Sequence, residues 1–234
     1  MAPRALVTGA SSGIGAACAR QLLHEGWSVA VSARRAAPLR ALAEEFPARV
    51  HVVSADLTST ADLERRAAEV AAWTPSLDAA IFAAGDFFMA PMAATSSAEF
   101  ERLWRLTVWS RFMLVRSLLP QLQAGTPHPR ALVHIASLAA HHDFPDETAY
   151  LSAMHGLVGL ARAQDAELRP RGIRVSLLSP GTVRTPLTQR HMAPAALTGA
   201  LEPEAIAASA LHLIAVIRAG GYIPEILHLP QNST

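Results

Sequence analysis

Short apolar, often β-branched runs at 5–8, 28–32, 50–54, 79–83, 131–136 and 173–178 alternate with helix-patterned stretches at 14–25, 38–46, 61–73, 97–119 and 148–168. The short runs are apolar on both sides instead of alternating with polar residues, as strands must be when helices cover both faces of a parallel sheet. The pattern therefore predicts an α/β fold with one doubly wound parallel sheet. Beyond 178 the pattern changes. Residues 185–201 lose strand character and gain Pro, Met and His, after which a helix at 202–218 and a short strand at 225–229 are expected. An insertion there falls at the carboxyl edge of the sheet, where ligands bind in such folds, and is expected to act as a substrate lid. No repeat of solenoid period and no low-complexity linker interrupts the chain, and the Pro/His-containing stretch 125–130 is expected to be a loop before a strand. A single domain over 1–234 is expected.

Composition narrows the function classes. Net charge is +1, and the charges are spread without long like-signed blocks, so neither a nucleic-acid nor a membrane-surface partner is expected. The most apolar stretch, 77–94, is broken by Asp78, Gly85, Asp86 and Pro91, so no membrane-spanning helix is expected. The N-terminus reaches the Ala-Leu-Val-Thr of residues 5–8 without a charged-then-apolar leader, and a cytoplasmic location is expected. The single cysteine, Cys18, falls in a predicted helix and reads as a small core residue. Every residue in the Lys+Arg count of 20 is arginine, and the one asparagine is Asn232 in the tail. Any ammonium or core Asn carboxamide that the chemistry needs must therefore be replaced.

Thr8-Gly-Ala-Ser-Ser-Gly-Ile-Gly15 directly follows the first strand and opens the first helix. Gly9, Gly13 and Gly15 permit a tight turn and close backbone approach to a pyrophosphate, whose charge the helix N-terminus stabilises; Ser11, Ser12 and Ile14 complete the loop. This string closely resembles the cofactor-binding motif of the short-chain dehydrogenase/reductase family, and the resemblance extends along nearly the whole chain. It implies a Rossmann-type sheet and a dinucleotide cofactor. Asp56-Leu57 is similar to the family's adenine-contacting segment, and Ala83-Ala84-Gly85 to its Asn-Ala-Gly motif, with Ala83 in place of Asn. Pro180-Gly181, followed by Val183 and Thr185, resembles the segment that holds the nicotinamide carboxamide.

Cofactor choice is set where the second strand ends. A ribose 2′-hydroxyl is recognised by a carboxylate, whereas a 2′-phosphate needs that carboxylate absent and a guanidinium present. Ala33 stands where the family's NAD members carry Asp, and Arg34-Arg35 follow it, so NADP(H) is expected. The same arginines also suit a plain solvated turn.

Ser137 and Tyr150 are thirteen positions apart and resemble the family's catalytic pair, in which the serine fixes a substrate oxygen and the tyrosine exchanges a proton with it. The family's lysine, four residues after the tyrosine, is here Met154, and its remaining catalytic Asn aligns with Thr107 by distance from Pro120. Arg111 lies four residues after Thr107, toward the space left by the missing cation; His155 points about 100° round the helix from Met154. His141 and His142 follow Ser137 in a loop and are possible proton donors, more ordinarily solvated loop residues. No metal site is expected.

The resemblance implies an NADP(H)-dependent oxidoreductase, a carbonyl reductase or alcohol dehydrogenase, acting on a small or medium substrate. Phe87, Phe88, Met89 and Phe144 at strand-end loops suggest an apolar substrate, or simply core packing. The alternative is an NADP(H)-binding protein with little turnover, serving as sensor or scaffold. A dehydratase or epimerase of the extended family would need a larger C-terminal region. In the family the helices at 97–119 and 148–168 pair across a two-fold axis, so a homodimer or homotetramer is implied, with Trp104, Val108, Phe112, Leu157 and Leu160 as its apolar residues.

Overall fold

The computed structural model describes residues 2–124 and 128–229. Part of the 125–130 stretch, and Asn232, lie outside the described residues. Seven strands, β1 (Arg4–Thr8), β2 (Ser28–Ala33), β3 (Val50–Ser54), β4 (Ala79–Phe82), β5 (Arg130–Ile135), β6 (Ile173–Pro180) and β7 (Glu225–His228), form one sheet in the order β3-β2-β1-β4-β5-β6-β7. Every pairing is parallel. The order reverses between β1 and β4, which opens a crevice at their carboxyl ends.

The apolar strands divide their side chains between two cores. Ala5, Val7, Val29, Val31, Ile81 and Val133 face a core closed by helices α1 (Gly13–His24), α2 (Ala36–Glu45) and α8 (Pro203–Arg218). Leu6, Ala30, Ala80, Phe82 and Leu132 face the opposite core, closed by α3 (Thr60–Trp73), α5 (Ser110–Gln123) and α6 (Thr148–Leu168). Period-2 projection from strands that are apolar at every position makes both layers dry, as the sequence pattern requires. Cys18 is fully buried in the first core, and burial pushes its thiol up to about 12, so it packs and does not react.

Two expectations need correction. The helix expected at 97–119 is not one α-helix: α4 (Ser97–Trp104) passes into a π-helical turn, Arg105–Trp109, before α5 begins. The Ser110 hydroxyl donates to the Leu106 carbonyl at 2.6 Å, occupying an acceptor that regular helical bonding would use. The stretch 185–201 is also not irregular throughout. Its α7 (Pro186–His191) is started by Thr185, whose hydroxyl accepts from the Thr188 amide while the Thr188 hydroxyl accepts from the Thr185 amide, and a 3₁₀ turn follows at Pro194–Leu197. No helix among the described residues is long and apolar enough to cross a membrane.

Candidate active site

At the point where strand order reverses lies a cleft of about 510 Å³. Its floor is the turn between β1 and α1. Gly9 has φ +70°, and a Cβ on it would sit 2.7 Å from the Ala84 nitrogen. A Cβ on Gly15 would sit 2.4 Å from the Gly9 carbonyl oxygen. Both contacts are with backbone, so glycine is required at each position. The Thr8 hydroxyl accepts from the Ala84 amide at 3.2 Å, fastening the segment after β4 to the same turn. Ser12 precedes α1 in extended conformation and makes no side-chain cap, so the first amides of a twelve-residue helix stay unsatisfied by it where Gly13, Ile14 and Gly15 line the cleft.

Arg34 and Arg35, which follow β2, also line the cleft. Arg35 Nη2 donates to the Ser12 hydroxyl at 2.9 Å and the Ser11 hydroxyl at 3.1 Å, so its guanidinium lies over the glycine turn. Asp56 and Leu57 line the same region, with the Asp56 carboxylate accepting from the Thr58 amide and hydroxyl at 2.9 and 2.8 Å. Ala83, Ala84, Gly85 and Thr185 complete the part of the wall anticipated from sequence. Pro180, Gly181 and Val183 are not among the lining residues: Pro180 ends β6, the Gly181 amide donates to the His228 carbonyl, and Val183 is buried and bridges to Leu201. Arg102 and Arg190 also line the cleft. Sequence reasoning missed both, because a helical arginine carries no signal of which side it faces.

An uncapped helix start, a backbone cradle that a Cβ would fill and nearby guanidiniums fit the pyrophosphate of a dinucleotide. The residues present therefore suit such a group.

Beside the cleft, β5 ends two residues before Ser137, whose hydroxyl caps a 3₁₀ turn by accepting from the Ala139 amide at 3.2 Å. Tyr150 enters on the first turn of α6, where the Ser137 hydroxyl is near enough to act on its phenol. Burial raises the phenol above its ordinary value. Ser137 and the nearby Arg111 charge pull it down, while Glu147 and Asp86 push it up. Phe87 meets the Tyr150 ring edge-to-face at 5.0 Å, and His191 of α7 meets Phe87 at 5.6 Å, so the inserted segment reaches the site. Phe88 instead packs against Leu103, Ala149 and Ala153, and Met89 and Phe144 are exposed.

Met154 is buried in the core shared by Ala136 and Ala139. Thr107 is fully buried within the π-helical turn, and its hydroxyl has no hydrogen-bond partner among the described residues. His141 is turned away from this group: Nε2 is 2.6 Å from the Glu225 carboxylate, which also accepts from the Ser179 hydroxyl at 2.6 Å. His142 is exposed, and His155 bonds the Leu151 carbonyl on an exposed face. Among the described residues no group of three or more His, Cys, Asp or Glu is placed to hold a metal ion.

Comparison with known proteins agrees with this geometry. A family model described as short chain dehydrogenase matches residues 3–195. The 1-deoxy-11-beta-hydroxypentalenate dehydrogenase of Streptomyces exfoliatus is 32% identical over 196 residues, covering 81% of this chain and 70% of that protein. A 2,5-dichloro-2,5-cyclohexadiene-1,4-diol dehydrogenase of Sphingobium indicum is 32% identical over 193 residues, 80% of this chain and 75% of the relative. A metagenomic short-chain oxidoreductase solved in complex with NADP superposes with a TM-score of 0.83 at 29% identity, covering 99% of this chain and 98% of that one. Glycine cradle, strand order and sequence relatives coincide, and the chain belongs to the short-chain dehydrogenase/reductase family of nicotinamide-dependent oxidoreductases.

Proposed function

We propose that this chain is an NADP(H)-dependent oxidoreductase interconverting a small or medium carbonyl compound and its alcohol at Ser137 and Tyr150. One observation carries the reading: a partly buried Tyr150, with Ser137 acting on its phenol, stands beside a glycine-cradled cleft lined by Arg34 and Arg35. NADP(H) is favoured over NAD(H) because the end of β2 offers guanidiniums and no carboxylate. The NADP complex of the metagenomic relative supports the same choice. Two relatives, a hydroxypentalenate dehydrogenase and a cyclohexadienediol dehydrogenase, support an alcohol or carbonyl substrate.

When bound, the nicotinamide supplies or accepts the hydride. The chain's own residues handle orientation and the proton. Ser137 holds the substrate oxygen, and Tyr150 gives that oxygen a proton during reduction or takes one during oxidation. A phenol raised by burial is protonated at neutral pH, which favours the reductive direction. Phe87 packs edge-on against the Tyr150 ring and His191 packs on Phe87, and the segment 185–201 acts as the lid that brings His191 there.

The chain works as a homodimer or homotetramer in this reading, with Phe100 and Phe112 exposed on α4 and α5. Leu157 is consumed inside the fold and is not available to such an interface. A second reading, a binding protein with little turnover, is favoured by the thioether of Met154 one helical turn after Tyr150, which carries no charge. NADPH oxidation measured across a carbonyl panel, after a calorimetric titration with NADPH, separates the two. Carbonyl-dependent oxidation supports the enzyme. Tight binding with no oxidation against any carbonyl supports the binding protein.

A further inference from the structure

A tyrosine that exchanges protons needs a stabilising charge for its phenolate, and this chain has no lysine to provide one. The residue one turn along from Tyr150 is the uncharged Met154. The structure places a cation near the phenol by another route. Arg111 leaves the first turn of α5, immediately after the π-helical turn, and runs inward until its side chain is almost completely enclosed. Nη2 donates to the carbonyl of Ile135, the last residue of β5, at 2.9 Å and to that of Ala84, beyond β4, at 3.2 Å. These carbonyls lie at the strand ends that carry Ser137 and the cleft wall, so the guanidinium is held beneath the site by both. Nη1 has no hydrogen-bond partner among the described residues, nor has the Thr107 hydroxyl on the adjoining π-helical turn.

The groups acting on Tyr150 are the Ser137 hydroxyl, the Glu147 and Asp86 carboxylates and Arg111. Arg111 is the one cation among them. The groups acting on Arg111 include Tyr150, and Arg111 in turn acts on His134 of β5. His134 is buried, bonds Gln164 through Nε2 at 2.9 Å, and its Nδ1 has no partner among the described residues. Burial lowers Arg111 to about 10 and His134 to about 3, so at neutral pH the first is charged and the second is not. A charge enclosed by protein is screened less than one in water, so its field at the phenol is correspondingly stronger.

We infer that Arg111 is the active-site cation of this chain, a positioning residue that sets a fixed positive charge behind Tyr150 from α5 and not from the helix that carries the tyrosine. The inference rests on the reading of Tyr150 as the proton-exchanging group. It assigns the π-helical turn a purpose, since one extra residue per turn re-aims the side chains that follow it.

The chain has two tyrosines, and Tyr222 donates to the Val175 carbonyl beneath Arg174, away from the cleft. In a Tyr222→Phe background the phenolate absorbance of the protein without cofactor therefore reports Tyr150 alone. Arg111→Gln keeps amide donors for the two carbonyls and removes the charge. Its phenol midpoint is expected to rise by about one pH unit, the lower end for an opposite charge close by, so that at a fixed pH below the midpoint the phenolate fraction falls about tenfold. Adding Met154→Lys to Arg111→Gln is expected to bring the midpoint back down, because the charge then returns from α6. An unmoved midpoint in Arg111→Gln, or a raised one that Met154→Lys leaves in place, overturns the inference and leaves Arg111 a clamp between strand ends. If Arg111→Gln does not fold, Arg111→Lys decides: a midpoint close to wild type is expected, and a rise of a full unit overturns the proposal. The titration needs no turnover. Wild-type turnover in Tyr150→Phe would remove the reading beneath the inference without changing what the titration says about charge.

Discussion

His134 sits on β5 under the candidate site, fully buried, stacked on Phe82 at 4.7 Å and near the Arg111 charge. Burial, reinforced by Arg111, lowers its ring from 6.5 to about 3. The folded protein therefore refuses a proton that the unfolded chain accepts. Stability from this site is complete above the unfolded value of 6.5 and is lost progressively as pH falls from there toward about 3. Between pH 7 and pH 5.5, linkage with those values gives a loss of about 1.3 kcal/mol. His134→Gln has no titrating ring and should lack this increment, whatever it costs at pH 7. Urea unfolding of both proteins at the two pH values isolates the effect, because other groups such as His51, itself lowered by burial, are common to both and cancel. An equal pH-dependent loss in both proteins would refute the reasoning and mean that the ring is solvated or charged in the fold.

Three further outcomes follow from the cleft. Arg34→Ala and Arg35→Ala should each erode the preference for NADPH over NADH by on the order of 1–3 kcal/mol, the range for charge-assisted bonds, read by calorimetry with both cofactors. Preferences unaltered in both variants would leave no basis for assigning NADP(H). In Gly15→Ala the new methyl would lie 2.4 Å from the Gly9 oxygen and 2.6 Å from the Gly9 carbonyl carbon, and neither is a side chain that can move aside. About 1–3 kcal/mol of stability and most of the dinucleotide affinity should be lost, seen in thermal melts and titration; unchanged binding would mean that the turn does not hold the pyrophosphate.

Much of the fold was legible because the signals were local and redundant. Strands such as β1 and β4 are apolar at nearly every position, and the glycine string stands between a strand and a helix, so a parallel sheet with a ligand site at its carboxyl edge follows from short stretches of sequence, whereas the strand register does not. Ser137 and Tyr150 stood out by their resemblance to the family's catalytic pair at its thirteen-residue spacing, and in the fold Ser137 is near enough to act on the Tyr150 phenol. The π-helical turn at Arg105–Trp109 was not legible. Hydrophobic periodicity over 97–119 reads the same with or without one extra residue in a turn, and the deciding contact is a single serine hydroxyl on the Leu106 carbonyl. α7 was missed because its start is a Thr185–Thr188 capping pair and the helix is six residues long, too short for a periodic signal. The direction of Arg111 depends on that same π-helical turn, so sequence spacing could nominate the residue and not its burial. The placement of His141 depends on Glu225, 84 residues away, a pairing created by the sheet edge and invisible in either stretch alone.

The most direct test of the account is turnover in Tyr150→Phe. The ring keeps its packing against Phe87, and the glycine cradle and Arg35 are untouched, so NADPH affinity should match wild type. The phenolic proton is gone. Carbonyl-dependent NADPH oxidation should then fall by about 10²–10⁴-fold, the range for removal of a general acid. Turnover equal to wild type, with affinity retained, would contradict the central claim and place the proton donor elsewhere in the cleft.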